Sequence, residues 1–148
     1  CCSAQSPTTP TLGVAMSFDG RTKKFFAIAK KVAAKECDAD RVYRHGAVLV
    51  KGSTVRNSCA NRNKFKGWGN RFRRSDEGYA TLHAELGCVL GVDRRDTKNA
   101  TVYVVRIDAE DNYKLSRPCS MCQSAMRHVG IKKVIYSINN EEYGVLKL

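Results

Sequence analysis

No run of about 18 apolar residues occurs in the 148-residue chain, which excludes a hydrophobic membrane-spanning helix. The first ten residues are polar, holding Ser, Thr and Pro, and lack the apolar stretch of a secretion signal. They read as the start of a disordered lead-in over 1–17. Nor does the chain open on Met: Cys1 stands first, as expected of a processed or excised piece, with Met16 as an alternative start. The seven cysteines make no even set and are scattered apart from Cys1-Cys2 and Cys119/Cys122. A disulfide framework is therefore not the expectation, and a reducing intracellular compartment is. Acidic residues are scarce early on: through Arg74 there are four, against 16 Lys and Arg, while from Ser75 onward there are ten of each. The whole excess of +12 thus lies in the first half. Such asymmetry points to a polyanionic partner, or more plainly to a solvated basic face. What remains, 18–148 with 43% hydrophobic residues over the full chain, fits one globular domain.

Periodicity predicts an amphipathic helix over 18–37, where Phe25, Ile28, Ala29, Val32 and Ala33 recur at helical spacing between lysines. The apolar run over 46–51 reads as a strand, Gly52-Ser53 as a two-residue hairpin turn, and 54–60 as the returning strand. Residues 61–78 have no sustained period and read as a long loop. A second helix is expected over 82–90, with Thr81 as its cap and Gly91 as its stop. Thr101-Val-Tyr-Val-Val-Arg-Ile107 is strongly β-type. Pro118 suits the first turn of a third helix, which Gly130 closes. Strands over 133–138 and 143–148 follow, separated by Asn139-Asn140-Glu141-Glu142. The resulting order, α-β-β-α-β-α-β-β, is a helix-flanked sheet of α/β class.

Two helix starts carry the chemistry: His83-Ala84-Glu85, and Pro118-Cys119-Ser120-Met121-Cys122. Cysteines three apart share a helix face. A helix N-terminus favours anions, which suits thiolates as zinc ligands. With His83 as third ligand, a tetrahedral Zn2+ keeps one position for water, whose pKa the metal lowers toward neutrality. Glu85 can then take a proton from that water and return it to a leaving group. Each part alone has a plainer explanation: a capping His, a redox pair or structural half-site, a Glu that compensates the helix dipole. A structural zinc would need a fourth ligand, from His45, His128 or another cysteine. The combination H-x-E followed by P-C-x-x-C is that of zinc deaminases.

On these motifs the chain resembles the cytidine deaminase-like superfamily over 18–148. The resemblance implies a three-layer α-β-α fold with a five-stranded mixed sheet, and a zinc ion between the starts of the second and third helices. It implies Glu85 as the catalytic residue and His83, Cys119 and Cys122 as the metal ligands. Gly46-Ala47-Val48-Leu49-Val50 is similar to the family's first strand, and Gly130-Ile131-Lys132-Lys133-Val134-Ile135-Tyr136 to the segment after the cysteine helix. Asn61-Arg62 is similar to the place of the asparagine that holds the substrate sugar, although a turn asparagine is an equally simple account. By the same resemblance the backbone of Ala84 faces the reacting base. Met121, Ala125-Met126, His128 and Ile131 are similar to tRNA adenosine deaminases. The ending differs: a four-residue turn permits an antiparallel hairpin and no helical crossover. That ending resembles cytidine deaminases and bacterial deaminase toxins, which implies cytosine as the base.

The segment over 61–74 places six basic residues and three aromatics, with no acid, between Asn61 and His83. Arg62, Lys64, Lys66, Arg71, Arg73 and Arg74 suit phosphates. Phe65, Trp68 and Phe72 suit exposed bases. The plain alternative is a solvated loop whose aromatics pack onto the core. Three readings follow: a cytosine deaminase of DNA or RNA, a deaminase of free cytidine, deoxycytidine or deoxycytidylate, and a nucleic-acid-binding module with a structural zinc.

Overall fold

A computed structural model describes residues 15–36, 44–65 and 81–148, with the backbone alone over 62–65 and 81–82. In chain order the elements are β1 (Met16–Ser17), α1 (Gly20–Glu36), β2 (Arg44–Lys51), β3 (Thr54–Ala60), β4 (Arg62–Phe65) and β5 (Thr81–Leu82). These are followed by α2 (Ala84–Val89), α3 (Arg94–Thr97), β6 (Thr101–Ile107), β7 (Tyr113–Lys114), α4 (Ser120–His128), β8 (Lys133–Ser137) and β9 (Glu142–Lys147). The main sheet runs β1-β9-β8-β6-β2-β3, and β7 pairs with β6 where β8 stops. β6 and β8 are parallel, joined through α4, and every other pairing is antiparallel. The five expected strands are all present. The sheet has seven because Met16–Ser17 and Tyr113–Lys114 add two-residue edges too short to leave a period in sequence. The hairpin of β8 and β9 is antiparallel, as its short turn requires.

The α-β-α layering follows from alternation along β2, β6 and β8. Val48, Val50, Tyr103, Val105 and Ile135 face α1, where Phe25, Phe26 and Ala29 close the layer. Ala47, Leu49, Val102, Val104 and Val134 face the opposite way, under Leu86, Cys122, Ala125 and Met126 of α2 and α4. Such two-faced burial explains why these strands read as continuous apolar runs. On α1, Ile28 and Val32 are only half-buried, while Phe26 is fully buried. The buried stripe is thus centred on Phe25, Phe26, Ala29 and Ala33 rather than on the expected set. Asp19 caps this helix, its Oδ1 accepting from the Thr22 amide at 2.7 Å, which holds its carboxyl below the usual range.

Local expectations fail in three places. The cap of α2 is His83 instead of Thr81, because residue 81 is paired to Phe65 in a two-stranded ladder. Residues 62–65, expected as the start of a loop, form the other strand of that ladder. Pro118 sits two residues ahead of α4, on the extended approach, and Cys119 is the cap. The stops hold: Gly91 and Gly130 take φ of 75° and 93°, which glycine adopts without strain. Residues 1–14, most of the expected lead-in, lie outside the described residues; Met16–Ser17 pair with the start of β9. Among the described residues, no helix is long and apolar enough to cross a membrane.

Gly46 lets α1 approach the sheet. A Cβ there would lie 2.1 Å from the Ala29 carbonyl oxygen and 3.0 Å from the Ala33 amide nitrogen. Relief would require moving helix backbone off the sheet. Gly46→Ala is expected to cost about 3 kcal/mol in urea unfolding, at the upper end of overpacking penalties. A loss below about 0.5 kcal/mol would show that α1 is not seated this closely.

Candidate metal centre

Both helices, α2 and α4, pack on the same face of the sheet. β4 and β5 pair Arg62 with Leu82, so the next rung would set Asn61 beside His83, which caps α2. Cys119 is delivered by a different route. The segment ahead of it is pinned by Ser116, fully buried, whose amide donates to the Ser137 carbonyl at 3.0 Å. The Ser116 hydroxyl donates to the Val104 carbonyl at 2.9 Å and accepts from the Ser137 amide at 2.9 Å. These bonds tie residue 116 to the middle of β6 and the C-terminal end of β8, three residues before Cys119. Buried Pro118 follows, and its carbonyl accepts from the Gln123 side-chain amide at 2.8 Å. No sequence motif marks Ser116 or Ser137. Two hydroxyls at strand ends acquire meaning only once β6 and β8 are known to be neighbours.

Neither cap uses its side chain on its own helix. An ordinary N-cap folds back to accept from the second or third amide; here His83 and Cys119 point at each other. His83 Nδ1 lies 3.0 Å from Cys122 Sγ and 3.7 Å from Cys119 Sγ, and the two sulfurs are 3.5 Å apart. Tetrahedral zinc, with bonds of about 2.3 Å to sulfur and 2.0–2.1 Å to nitrogen, sets such atoms about 3.5–3.8 Å apart. Two of the three distances match to a few tenths of an ångström, and the third needs only a small opening. One nitrogen and two sulfurs are the donor set of a zinc site with a position left over. The start of α4 adds a field that favours thiolate. His83, Cys119 and Cys122 are thus a group that can hold a metal ion, and zinc fits its chemistry.

The other expected residues divide by what is described. Glu85, two residues beyond His83 on α2, is fully buried. Ala84 is fully buried, its side chain in the core beneath the helices. Asn61 is half-buried: its Oδ1 accepts from the His45 backbone amide at 2.8 Å, and its backbone amide donates to the His45 carbonyl at 3.2 Å. These bonds fix the side chain at the edge of the site. Arg62, Lys64 and Phe65 lie on β4. Lys66, Trp68, Arg71, Phe72, Arg73 and Arg74 lie outside the described residues. A third thiol, Cys88, stands one turn beyond Glu85, but burial foremost, then the nearby Glu85 charge, pushes it well above the usual range. It is not part of the group that can hold a metal ion among the described residues.

The family model described as cytidine and deoxycytidylate deaminase zinc-binding region matches residues 20–138, which include every ligand. No curated protein matches the chain. Among solved structures, a dCMP deaminase from the cyanophage S-TIM5 in apo form is 16% identical, with a TM-score of 0.51. That alignment covers 82% of this chain and 86% of the phage protein, and shows a shared fold. Two forms of Acinetobacter baumannii RibD align over 80% of this chain at 14% identity and TM-scores of 0.49. This chain spans 28% of the RibD chain.

The metal centre predicts one zinc per chain by elemental analysis. His83→Ala, Cys119→Ser and Cys122→Ser should each lower zinc affinity by at least tenfold, whereas Cys88→Ser should retain full occupancy. Zinc retained in a Cys122→Ser protein would contradict the ligand set.

Proposed function

The chain belongs to the cytidine and deoxycytidylate deaminase zinc-binding family, and from that premise we propose that it is a zinc-dependent hydrolytic deaminase that converts cytosine to uracil within DNA or RNA. The observation that carries the chemistry is the approach of His83 Nδ1, Cys119 Sγ and Cys122 Sγ to 3.0–3.7 Å, with Glu85 buried two residues from His83. Zinc bound there would supply Lewis acidity that makes a water readily deprotonated near neutral pH. The remaining work falls to the chain. Glu85 takes a proton from the attacking water and returns it to the departing amine, so that water and cytosine leave as uracil and ammonia. Its burial keeps bulk water from competing for that proton. Asn61, oriented by the His45 backbone, holds the sugar, and the Ala84 backbone lines the base.

Cytosine is supported by the antiparallel ending of β8 and β9, the form found in cytidine deaminases and deaminase toxins. Polynucleotide is supported by charge: the excess of +12 falls wholly before residue 75, and six basic and three aromatic residues fill 61–74. Flipping a base from a duplex costs a few kcal/mol, which contacts of that kind offset. A second reading, deamination of free deoxycytidylate, draws on the cyanophage dCMP deaminase, a protein of similar extent and fold.

Glu85→Gln is expected to lower turnover by about 10²–10⁴-fold while zinc stays bound. A variant with full activity would reduce the zinc to a structural role. Single-stranded DNA, duplex DNA, RNA, cytidine and deoxycytidylate should be offered in parallel, with products read by mass. Uracil in a polynucleotide is the expected result. Uracil in free nucleotides alone would establish the second reading, and inosine from a tRNA substrate would replace cytosine by adenine. Polynucleotide binding should also weaken steeply between about 50 and 200 mM salt.

A further inference from the structure

A cavity of about 260 Å³ opens at the other end of the sheet, lined by Arg21, Val50, Gly52, Asn99, Thr101, Tyr103, Lys132 and Lys133. It lies on the α1 face, where β6 and β8 begin; the metal ligands lie past the ends of the same strands. Its Val50 and Tyr103 belong to the layer under α1, whereas Cys119 and Cys122 pack in the layer on the other face of the sheet. The cavity is therefore no part of the metal centre.

Three of its lining residues are cationic and none is acidic. Arg21 is already oriented: its Nε donates to the Tyr103 hydroxyl at 3.2 Å, Nη1 to Ser53 Oγ at 3.2 Å and Nη2 to the Gly52 carbonyl at 2.6 Å. Tyr103, only 2% exposed, accepts from Arg21, which leaves its own hydroxyl proton for a further acceptor. Asn99, in the left-handed region at φ 61°, and Thr101 add an amide and a hydroxyl at the rim. Lys132 and Lys133 make no ion pair among the described residues. A volume just below the roughly 300–1,000 Å³ of drug-sized pockets suits a compact group.

We infer that this cavity is a phosphate-binding site. Arg21, Lys132 and Lys133 supply the charge, and Tyr103, Thr101 and Asn99 supply neutral hydrogen-bonding groups. The site goes beyond the catalytic reading and does not rest on it, because its ligand binds without turnover. Two sources carry this group. One is the backbone of a polynucleotide, whose successive phosphates can reach sites beyond the one that holds the target base. The other is free phosphate or a small phosphorylated molecule.

The test titrates the zinc-loaded protein with inorganic phosphate at fixed ionic strength, by calorimetry. Lys132→Gln/Lys133→Gln is compared with Lys31→Gln/Lys35→Gln, which removes equal charge from the exposed side of α1. Saturable binding weakened about tenfold by the first pair and within about twofold of the original for the second is expected. Folding of both proteins is checked by circular dichroism, and Lys132→Arg/Lys133→Arg should restore binding if the Gln pair unfolds. Competition by a single strand of about 16 nucleotides identifies backbone phosphate as the source, and binding without such competition identifies a free phosphate. Absence of saturable binding, or equal binding in both double variants, overturns the site. The second result would place phosphate on the metal or on diffuse charge.

Discussion

Two helix starts, 36 residues apart in sequence, must bring a nitrogen and two sulfurs to within 3.7 Å of one another. That convergence is the constraint around which the rest of the fold is arranged. Liganding groups at the ends of helices are only as well placed as the helices themselves, and short helices have little stability of their own. α2 has six residues and α4 nine, so their positions come from packing. Leu86, Cys122, Ala125 and Met126 anchor them to one face of the sheet. The Ser116–Ser137 bonds fix the approach to Cys119, and the β4–β5 ladder fixes the approach to His83. On the opposite face α1 closes the core, and Gly46 allows it to do so at backbone contact.

Charge gives the molecule a direction. Through Arg74 there are 16 Lys and Arg against four acidic residues, while from Ser75 on the two balance, so the whole excess of positive charge lies in the first half. α1 presents Lys23, Lys24, Lys31 and Lys35 to solvent, and the cavity at its N-terminal end gathers Arg21 with Lys132 and Lys133. Residues 62–74 form a second basic region that leads into His83. A free nucleoside offers nothing to either region. A polyanion offers charge to both.

Much of this was legible in sequence, for identifiable reasons. The strands over 54–60 and 101–107 emerged with their observed limits, because β-branched residues and a glycine turn bound them sharply. The metal ligands were legible because zinc chemistry demands particular atoms at fixed spacings, and a spacing survives without knowledge of the fold. What was hidden depends on neighbours distant in the chain. β1 and β7 are two residues each and exist only as partners of β9 and β6. β4 looked like a loop because its partner lies 16 residues later. His83 displaced Thr81 as a cap for the same reason, and Ser116 carries no motif. The cavity at the far end joins residues from α1, β2, β6 and β8, and periodicity along one segment could not assemble it.

The central claim is that one histidine nitrogen and two cysteine sulfurs hold a single zinc ion and leave a position for chemistry. X-ray absorption at the zinc edge of the loaded protein tests it directly. The account predicts two sulfurs at about 2.3 Å and two nitrogen or oxygen atoms at about 2.0–2.1 Å, one of them exchangeable. Three or four sulfurs, or a shell of nitrogen and oxygen alone, would contradict it.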